Sequence, residues 1–416
     1  MAAKVASTCA ASTGAAAPSS LVAPIRSGLD RLLDDAGRLR RRCYALLCHQ
    51  ASLSREGVHA HLALAAAQPP AALLAPEHGF YGVEQDMVAS RDERDPWTGS
   101  PVVSLYGDDA SSLRPRPEVF DGCDLLVIDL QDVGARYYTF AASAVWAAEV
   151  ALAAGCEVWI LDRPNPLGGA EVEGNLLDLD FASFVGAFRM PQRHGLTLAE
   201  IVLLEARRRG WDTASLTVFE VEGWRRVQTW PDVGWPWTAP SPNMPSPDTA
   251  AIYPGLCLFE ATTVSEGRGT TRPFHLLGAP GADAPALAGR CEERLEAAGL
   301  NGVSVVPAMF RPQFQKHAGA VCAGVEIRVV DVRLIQPVRL GFELLLAFRD
   351  VLGRAFGWRA EPYEFVSDTP AIDLLAGTDG FRLGLEAPAA LESWYASWRH
   401  DEDEFRAERD SVLLYS

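Results

Sequence analysis

The sequence predicts an α/β fold: a Rossmann-like parallel sheet with helices on both faces, joined to a smaller α+β C-terminal domain. Three observations carry this reading. Short apolar runs alternate with helical stretches from Arg26 onward, the runs are nearly continuous in apolar residues, and the alternation breaks after a segment rich in Trp and Pro. Near-continuous apolar runs are expected of strands whose two faces are both covered.

The predicted strands span 43–48, 71–75, 102–105, 125–130 and 157–161. Tyr137, Phe140, Ala144, Ala148 and Leu152 recur at helical spacing and predict a helix over 136–154, with Gly155 placed to end it. Thr197-Leu-Ala-Glu200 matches a capping box, in which Thr accepts from the N3 amide and Glu reaches back; its helix runs to Arg209 and stops at Gly210. Residues 230–247 hold three Trp and six Pro and read as a stiff, non-helical segment. Beyond them come a strand over 325–330, a helix over 342–356 and a terminal helix from about Ala389. The expected domains are a disordered tail over 1–25, a Rossmann-like catalytic domain over 26–234, and an α+β domain over 235–416 that completes the cleft.

The 416 residues carry 37 Lys and Arg against 54 Asp and Glu, a formal charge of −17. That balance speaks against a nucleic-acid binder, which needs a basic face, yet a few arginines in a cleft still suit an anionic substrate. The eight cysteines form no C-x-x-C pair, so neither a zinc site nor a disulfide framework is expected. No apolar run reaches the roughly 18 residues of a membrane span. The Ala-, Ser- and Thr-rich tail, with Cys9, lacks the Leu/Val/Ile core of a secretory signal, and a cytoplasmic location is expected.

In an open α/β sheet, ligands bind beyond the carboxyl ends of the strands. Each predicted strand exits into a polar stretch: His49-Gln50, Pro76-Glu77-His78-Gly79-Phe80, Tyr106-Gly107, Gln131-Asp132-Val-Gly134 with Arg136-Tyr137-Tyr138, and Asp162-Arg163-Pro-Asn165-Pro166. No G-x-G-x-x-G comes after the first strand, and the chain has no Walker A loop, G-x-S-x-G elbow or H-E-x-x-H helix. His59 and His61, two apart, read as surface residues rather than metal ligands. The remaining set is carboxylates, arginines, amides and aromatics, and it suits glycoside hydrolysis. Trp230, Trp235 and Trp237 either pack against sugar C–H faces or fill an interdomain seam.

These motifs, with Val172-Glu-Gly174, Arg193-His-Gly195, Pro242-Asn-Met-Pro245 and Ser265-Glu-Gly-Arg-Gly-Thr-Thr-Arg-Pro-Phe274, resemble the NamZ-type exo-β-N-acetylmuramidases. The resemblance runs in register from about Gly28 to Tyr415. It implies a Rossmann-like domain and a smaller partner with the cleft between them. It also implies exo-lytic release of N-acetylmuramic acid from non-reducing ends of peptidoglycan fragments, with no cofactor and no metal. The family usually reads Glu-His-Gly-Phe-Arg-Gly, and Tyr81 stands here in place of that Arg. If the Arg holds the lactyl carboxylate, the substrate preference of this chain differs.

Glu77, at a strand exit and followed closely by Gly79, is the expected general acid/base. Asp132 and Glu266 are candidates for the second carboxylate, with Glu173 behind them; Asp132 equally fits a helix cap. Arg136, Arg163, Arg268 and Arg272 are candidates for gripping a carboxylate, and Arg163 is equally an ion-pair partner for Asp162. Gln131, Asn165 and Asn243 suit sugar hydroxyl or acetamido contacts, Tyr137 a ring contact, and His78 and His194 the orienting of carboxylates. Two other readings stand beside the muramidase: a non-catalytic muropeptide-binding protein, and a glycosidase for another acidic amino sugar.

Overall fold

The computed structural model describes residues 24–85 and 87–416. Cys9 and all but the last two residues of the expected tail therefore lie outside the described residues. Seven strands form the main sheet: β1 (Tyr44–Cys48), β2 (Ala72–Ala75), β3 (Glu93–Arg94), β4 (Pro101–Ser104), β5 (Leu125–Asp129), β6 (Glu157–Leu161) and β7 (Leu216–Phe219). Their order is β3-β4-β2-β1-β5-β6-β7, and every pairing is parallel except that of the short edge strand β3.

Side chains alternate between the two faces, as strand geometry requires. Leu46, Leu73, Val127 and Trp159 pack under α1 (Gly28–Asp34) and α2 (Ala60–Ala65), through Leu29, Leu32 and Leu64. Leu47, Leu74, Ile128 and Ile160 face the opposite way, toward α3 (Phe140–Ala153) and α4 (Leu198–Arg209). Thr197 caps α4 with Glu200 reciprocating, and Gly210 ends it at φ 66°. The helix expected from residue 136 starts only at Phe140. Arg136 N–H is taken by Gln192 O, and Ala135 bridges to Arg193, so the chain there serves a tertiary contact instead of a helical turn.

The second half contains α5 (Trp230–Val233), α6 (Pro247–Leu256), β8 (Leu276–Ala279), α7 (Ala284–Ala297), β9 (Val303–Phe310), β10 (Cys322–Val329), α8 (Pro337–Leu352), α9 (Ala371–Ala376), α10 (Gly380–Gly384) and α11 (Pro388–Arg409). The segment read as non-helical thus holds one turn, α5, with Pro231 in its first turn where a missing N–H costs nothing and Gly234 closing it at φ 74°. The strands form an antiparallel sheet ordered β8-β10-β9. β9 is an edge strand, which is where Pro307 can be accommodated. Among the described residues no helix is long and apolar enough to cross a membrane.

One apolar core runs from α3 and α4 through α6, α8 and the small sheet. α6 and α8 meet backbone to backbone. A β-carbon on Gly255 would lie 1.8 Å from Pro337 O, and one on Gly341 2.2 Å from Gly255 O. After α11 the chain returns to the first domain. Arg409 donates to the carbonyls of Gly169, Ala170, His194 and Gly195, Leu414 N–H to Glu200, and Tyr415 OH to Asp162.

Gly341→Ala is expected to force α6 and α8 apart and to lower stability by about 1–3 kcal/mol. Thermal unfolding checks it, and an unchanged midpoint would contradict the close crossing.

Candidate active site

The exit of β2 is a tight turn, closed by Gly79 N–H donating to Pro76 O. His78 inside it takes φ 73°, a conformation that large L-residues adopt rarely and that neighbouring contacts must hold. One of them is His78 Nδ1 at 3.1 Å from Glu84 O. The turn delivers Glu77, 5% exposed, to a cleft with about 450 Å³ of empty space. Thr139, just ahead of α3, donates its hydroxyl to Glu77 Oε2 at 2.7 Å.

The far wall comes from the second half of the chain: Asn243, Met244, Tyr253, Glu260, Arg268, Phe274, Tyr363 and Glu364. Of the residues singled out in the sequence, Glu77, His78, Tyr137, Asn243 and Arg268 line this cleft. Tyr137 is anchored by its hydroxyl to Pro254 O, and Asn243 Nδ2 donates to Gln85 Oε1 at 3.0 Å. Arg268 donates to Glu260 and lies over the Phe274 ring, 5.1 Å from its centroid.

The other candidates stand back from the cleft. Glu266 lies behind it, 2.8 Å from Lys316 Nζ and 3.5 Å from Arg268 Nε. Lys316 also donates to the carbonyls of Phe259, Glu260 and Val264, so it braces the strip that carries Glu260. Asp132 is buried and accepts from Gly134 N–H at 2.6 Å. Its carboxyl is raised to about 7 by burial, against the backbone N–H groups of Gly134 and Val133. His194 lies 3.7 Å away, but burial and the guanidinium groups of Arg409 and Arg226 lower it to about 3, so the contact is not an ion pair at neutral pH.

Arg136 is held in the structure through its two terminal nitrogens. It donates to the carbonyls of Asn175, Met190 and Leu375, although burial lowers its pKa to about 10. Arg163 makes an ion pair, but with Asp129 on the neighbouring strand and not with Asp162: two of its bonds, 2.5 and 2.9 Å, run to that carboxylate, and a third, 3.0 Å, to Leu53 O. Asn165 ties its own turn, donating to Leu196 O and accepting from Leu167 N–H. Glu173 accepts from Arg339 N–H and is raised to about 7 by burial. Arg272, on the surface, pairs with Glu326 at 3.1 Å.

Gln131 donates to Asp132 O and Pro164 O. With Arg163, Trp230 and Trp235 it lines a second cavity of about 650 Å³. The three tryptophans pack edge to face, Trp230 against Trp235 and Trp237, and the indoles of Trp235 and Trp237 donate to the carbonyls of Ile25 and Met244. None of the three lines the Glu77 cleft. His61, read as a surface residue, is buried and stacks on Trp97. Tyr81 belongs to the same cluster: it packs edge-on against Phe80 and Trp97, and its hydroxyl bonds to Asp95. Among the described residues no group of three or more His, Cys, Asp or Glu is arranged to hold a metal ion.

Thr139, Ser241, Glu260, Tyr363 and Glu364 line the cleft but were not singled out in the sequence. Thr139 and Ser241 flank recognised motifs, which was a usable signal. Glu260 and Glu364 lie in stretches with no motif of their own.

The chain resembles known proteins over most of its length. The family described as exo-β-N-acetylmuramidase NamZ, N-terminal, matches residues 44–248, and its C-terminal counterpart matches 251–415. Peptidoglycan β-N-acetylmuramidase NamZ of Bacillus subtilis is 38% identical over 347 residues, which cover 83% of this chain and 79% of that protein. Two crystal structures of DUF1343 family proteins from Bacteroides fragilis superpose with TM-scores of 0.82 and 0.70. Each is 26% identical, and they cover 94% and 95% of this chain and 99% of their own.

Because the Asp132 carboxyl is raised on folding, the stability it contributes is full below its unfolded value near 4 and is lost as pH rises toward 7. The loss runs at about 1.4 kcal/mol per pH unit in that window. Asp132→Asn escapes it, so its melting temperature relative to the unsubstituted protein is expected to climb between pH 5 and pH 8. A difference that shrinks over that range would contradict the burial argument.

Proposed function

We propose, from the premise that this chain belongs to the NamZ family of exo-β-N-acetylmuramidases, that it removes terminal N-acetylmuramic acid from the non-reducing ends of peptidoglycan fragments, with Glu77 as its general acid/base. The observation that carries the assignment is Glu77 itself: a buried carboxylate on a strained turn at the carboxyl edge of a parallel sheet, opening into an enclosed polar and aromatic cleft.

The chemistry follows from that placement. The bond from the anomeric carbon to the leaving oxygen breaks with its electrons passing to oxygen, which takes the proton of Glu77. Water then bonds to the anomeric carbon and returns a proton to the Glu77 carboxylate, so one water is consumed and the enzyme is reset. Thr139, donating to Oε2, fixes the carboxyl plane through both steps. Tyr137, Tyr253 and Phe274 offer ring faces for the sugar, and Asn243 an amide for its acetamido or hydroxyl groups.

The lactyl carboxylate needs a cation. With Tyr81 tied to Asp95, Arg268 is the guanidinium on the cleft wall that suits this role.

Glu77→Gln is expected to cut turnover of a chromogenic muramoside by at least about 100-fold while leaving the melting temperature within a few degrees. Release of free N-acetylmuramic acid from a muramic-acid-terminated disaccharide is the direct readout. Near-normal release by the variant would refute the role of Glu77, and no release by the unsubstituted protein would favour a sugar-binding function instead.

A further inference from the structure

The strand order of the main sheet reverses between β1 and β5: β2 to β4 lie on one side of β1, and β5 to β7 on the other. In open α/β sheets the crevice at such a reversal, beyond the carboxyl ends of the strands, is where ligands bind. Glu77 leaves β2, one strand away from it. The reversal itself opens into the second cavity of about 650 Å³, within the roughly 300–1,000 Å³ of small-molecule sites. It is lined by Ser54 and Arg55 after β1, Gln131 after β5 and Arg163 after β6, and by Trp230 and Trp235 from the segment joining the two halves.

These walls hold hydrogen-bonding groups that the fold does not use. Arg163 spends Nε on Asp129 and Nη2 on Asp129 and Leu53 O, and among the described residues its Nη1 has no partner. Trp230 is 7% exposed, and its indole N–H has no acceptor there either. Gln131 turns its amide nitrogen to the carbonyls of Asp132 and Pro164, which leaves Oε1 as an acceptor without a donor among the described residues. Buried polar groups are ordinarily paired, so two donors and an acceptor left over around one cavity mark the place of a polar molecule.

Charge and shape narrow the class. Arg163 is paired with Asp129, and the walls otherwise carry Arg55 and Asp30, one charge of each sign. A charged ligand would find no excess of the opposite sign. Trp230 and Trp235 meet at 84° with ring centroids 6.0 Å apart, so they form an apolar corner. An aromatic corner beside unused donors and an acceptor suits a ring with C–H faces and hydroxyls, which both donate and accept. The carboxylate on the walls, Asp30, is tied to Ser27 and to the Arg55 N–H in capping α1, so the site has no free acid for cleavage.

We propose that this cavity is a second carbohydrate site, which binds one neutral pyranose ring, such as an N-acetylhexosamine, without cleaving it. Hydroxyls of the sugar accept from Arg163 and Trp230 and donate to Gln131, and a C–H face packs in the tryptophan corner. No described residue lines both this cavity and the Glu77 cleft, so the inference stands apart from the glycosidase reading.

Saturation-transfer NMR with N-acetylglucosamine as the probe is measured on the full chain, Trp235→Ala, Trp235→Phe and Trp97→Ala, with melting temperatures alongside. The full chain is expected to bind the probe, Trp235→Ala about five-fold or more weakly, and Trp235→Phe, which keeps a ring face, within about two-fold. Trp97→Ala removes an indole that is 56% exposed elsewhere, and its affinity is expected to be unchanged. No transfer to the probe overturns the proposal, as does an undiminished affinity in Trp235→Ala or an equal loss in Trp97→Ala. Should Trp235→Ala fail to fold, hydrogen exchange on the unsubstituted protein decides. The sugar is then expected to slow exchange in residues 51–57, and protection confined to the Glu77 cleft overturns the proposal. N-acetylmuramic acid, which carries a carboxylate, is expected to bind this cavity no more tightly than the probe. A preference for it that Trp235→Ala abolishes would overturn the neutral class. All of these readouts are independent of turnover: an intact muramoside defeats the glycosidase reading alone, and absent sugar binding at Trp235 defeats this site alone.

Discussion

The parallel pairing of β1, β2, β5 and β6 is the constraint on which the rest of the molecule depends. With Leu46, Leu73 and Val127 buried on one face and Leu47, Leu74 and Ile128 on the other, these strands offer no polar surface except at their ends. Chain polarity then gathers at the carboxyl edge, and every polar group there must be matched internally or left for a ligand. Asp129 is matched by Arg163, the amide of Gln131 by His49 Nε2, and Asp162 by Tyr415. Glu77, held through one oxygen by Thr139, is an exit residue whose surroundings open into the cleft between the two halves of the chain.

Charge is handled differently in the wall and in the cleft. In the wall, Lys316, Glu266, Arg268 and Glu260 alternate in sign along a chain of contacts, so a cationic side chain can sit in a cleft wall of a protein with a formal charge of −17. Elsewhere burial suppresses the charge itself: Asp132 and Glu173 are pushed up to about 7, and His49 and His194 down to about 3. The two histidines therefore offer no cation to an anionic ligand at neutral pH, and Asp132 and Glu173 stand back from the Glu77 cleft, whatever their place in a motif.

The sheet was legible because each of its central strands is a short apolar block, and five of the seven strands register in the sequence. β7 escaped because Leu-Thr-Val-Phe at a sheet edge is only partly buried. In the second domain β8 contains a glycine and β9 a proline, both of which weaken a strand signal that pairing with β10 restores. The site was half legible. Glu77, His78, Asn243 and Arg268 sit in motifs that converge on one cleft, while Arg136, Arg163 and Asn165 sit in motifs whose work is to tie loops to the sheet edge. Sequence alone cannot separate these two uses, because both need a polar side chain at a strand exit. Glu364 was invisible for another reason: its placement depends on a turn conformation that its own residue types disfavour.

The return of the chain after α11 has a consequence for how the protein is made. The guanidinium that secures the Gly169–Ala170 and His194–Gly195 loops, and the phenol that quiets Asp162, both come from residues 409–415. These loops therefore leave the ribosome long before the side chains that secure them are made. Folding there is sealed by residues 409–415, so damage to them strikes loops synthesised some 200 residues earlier.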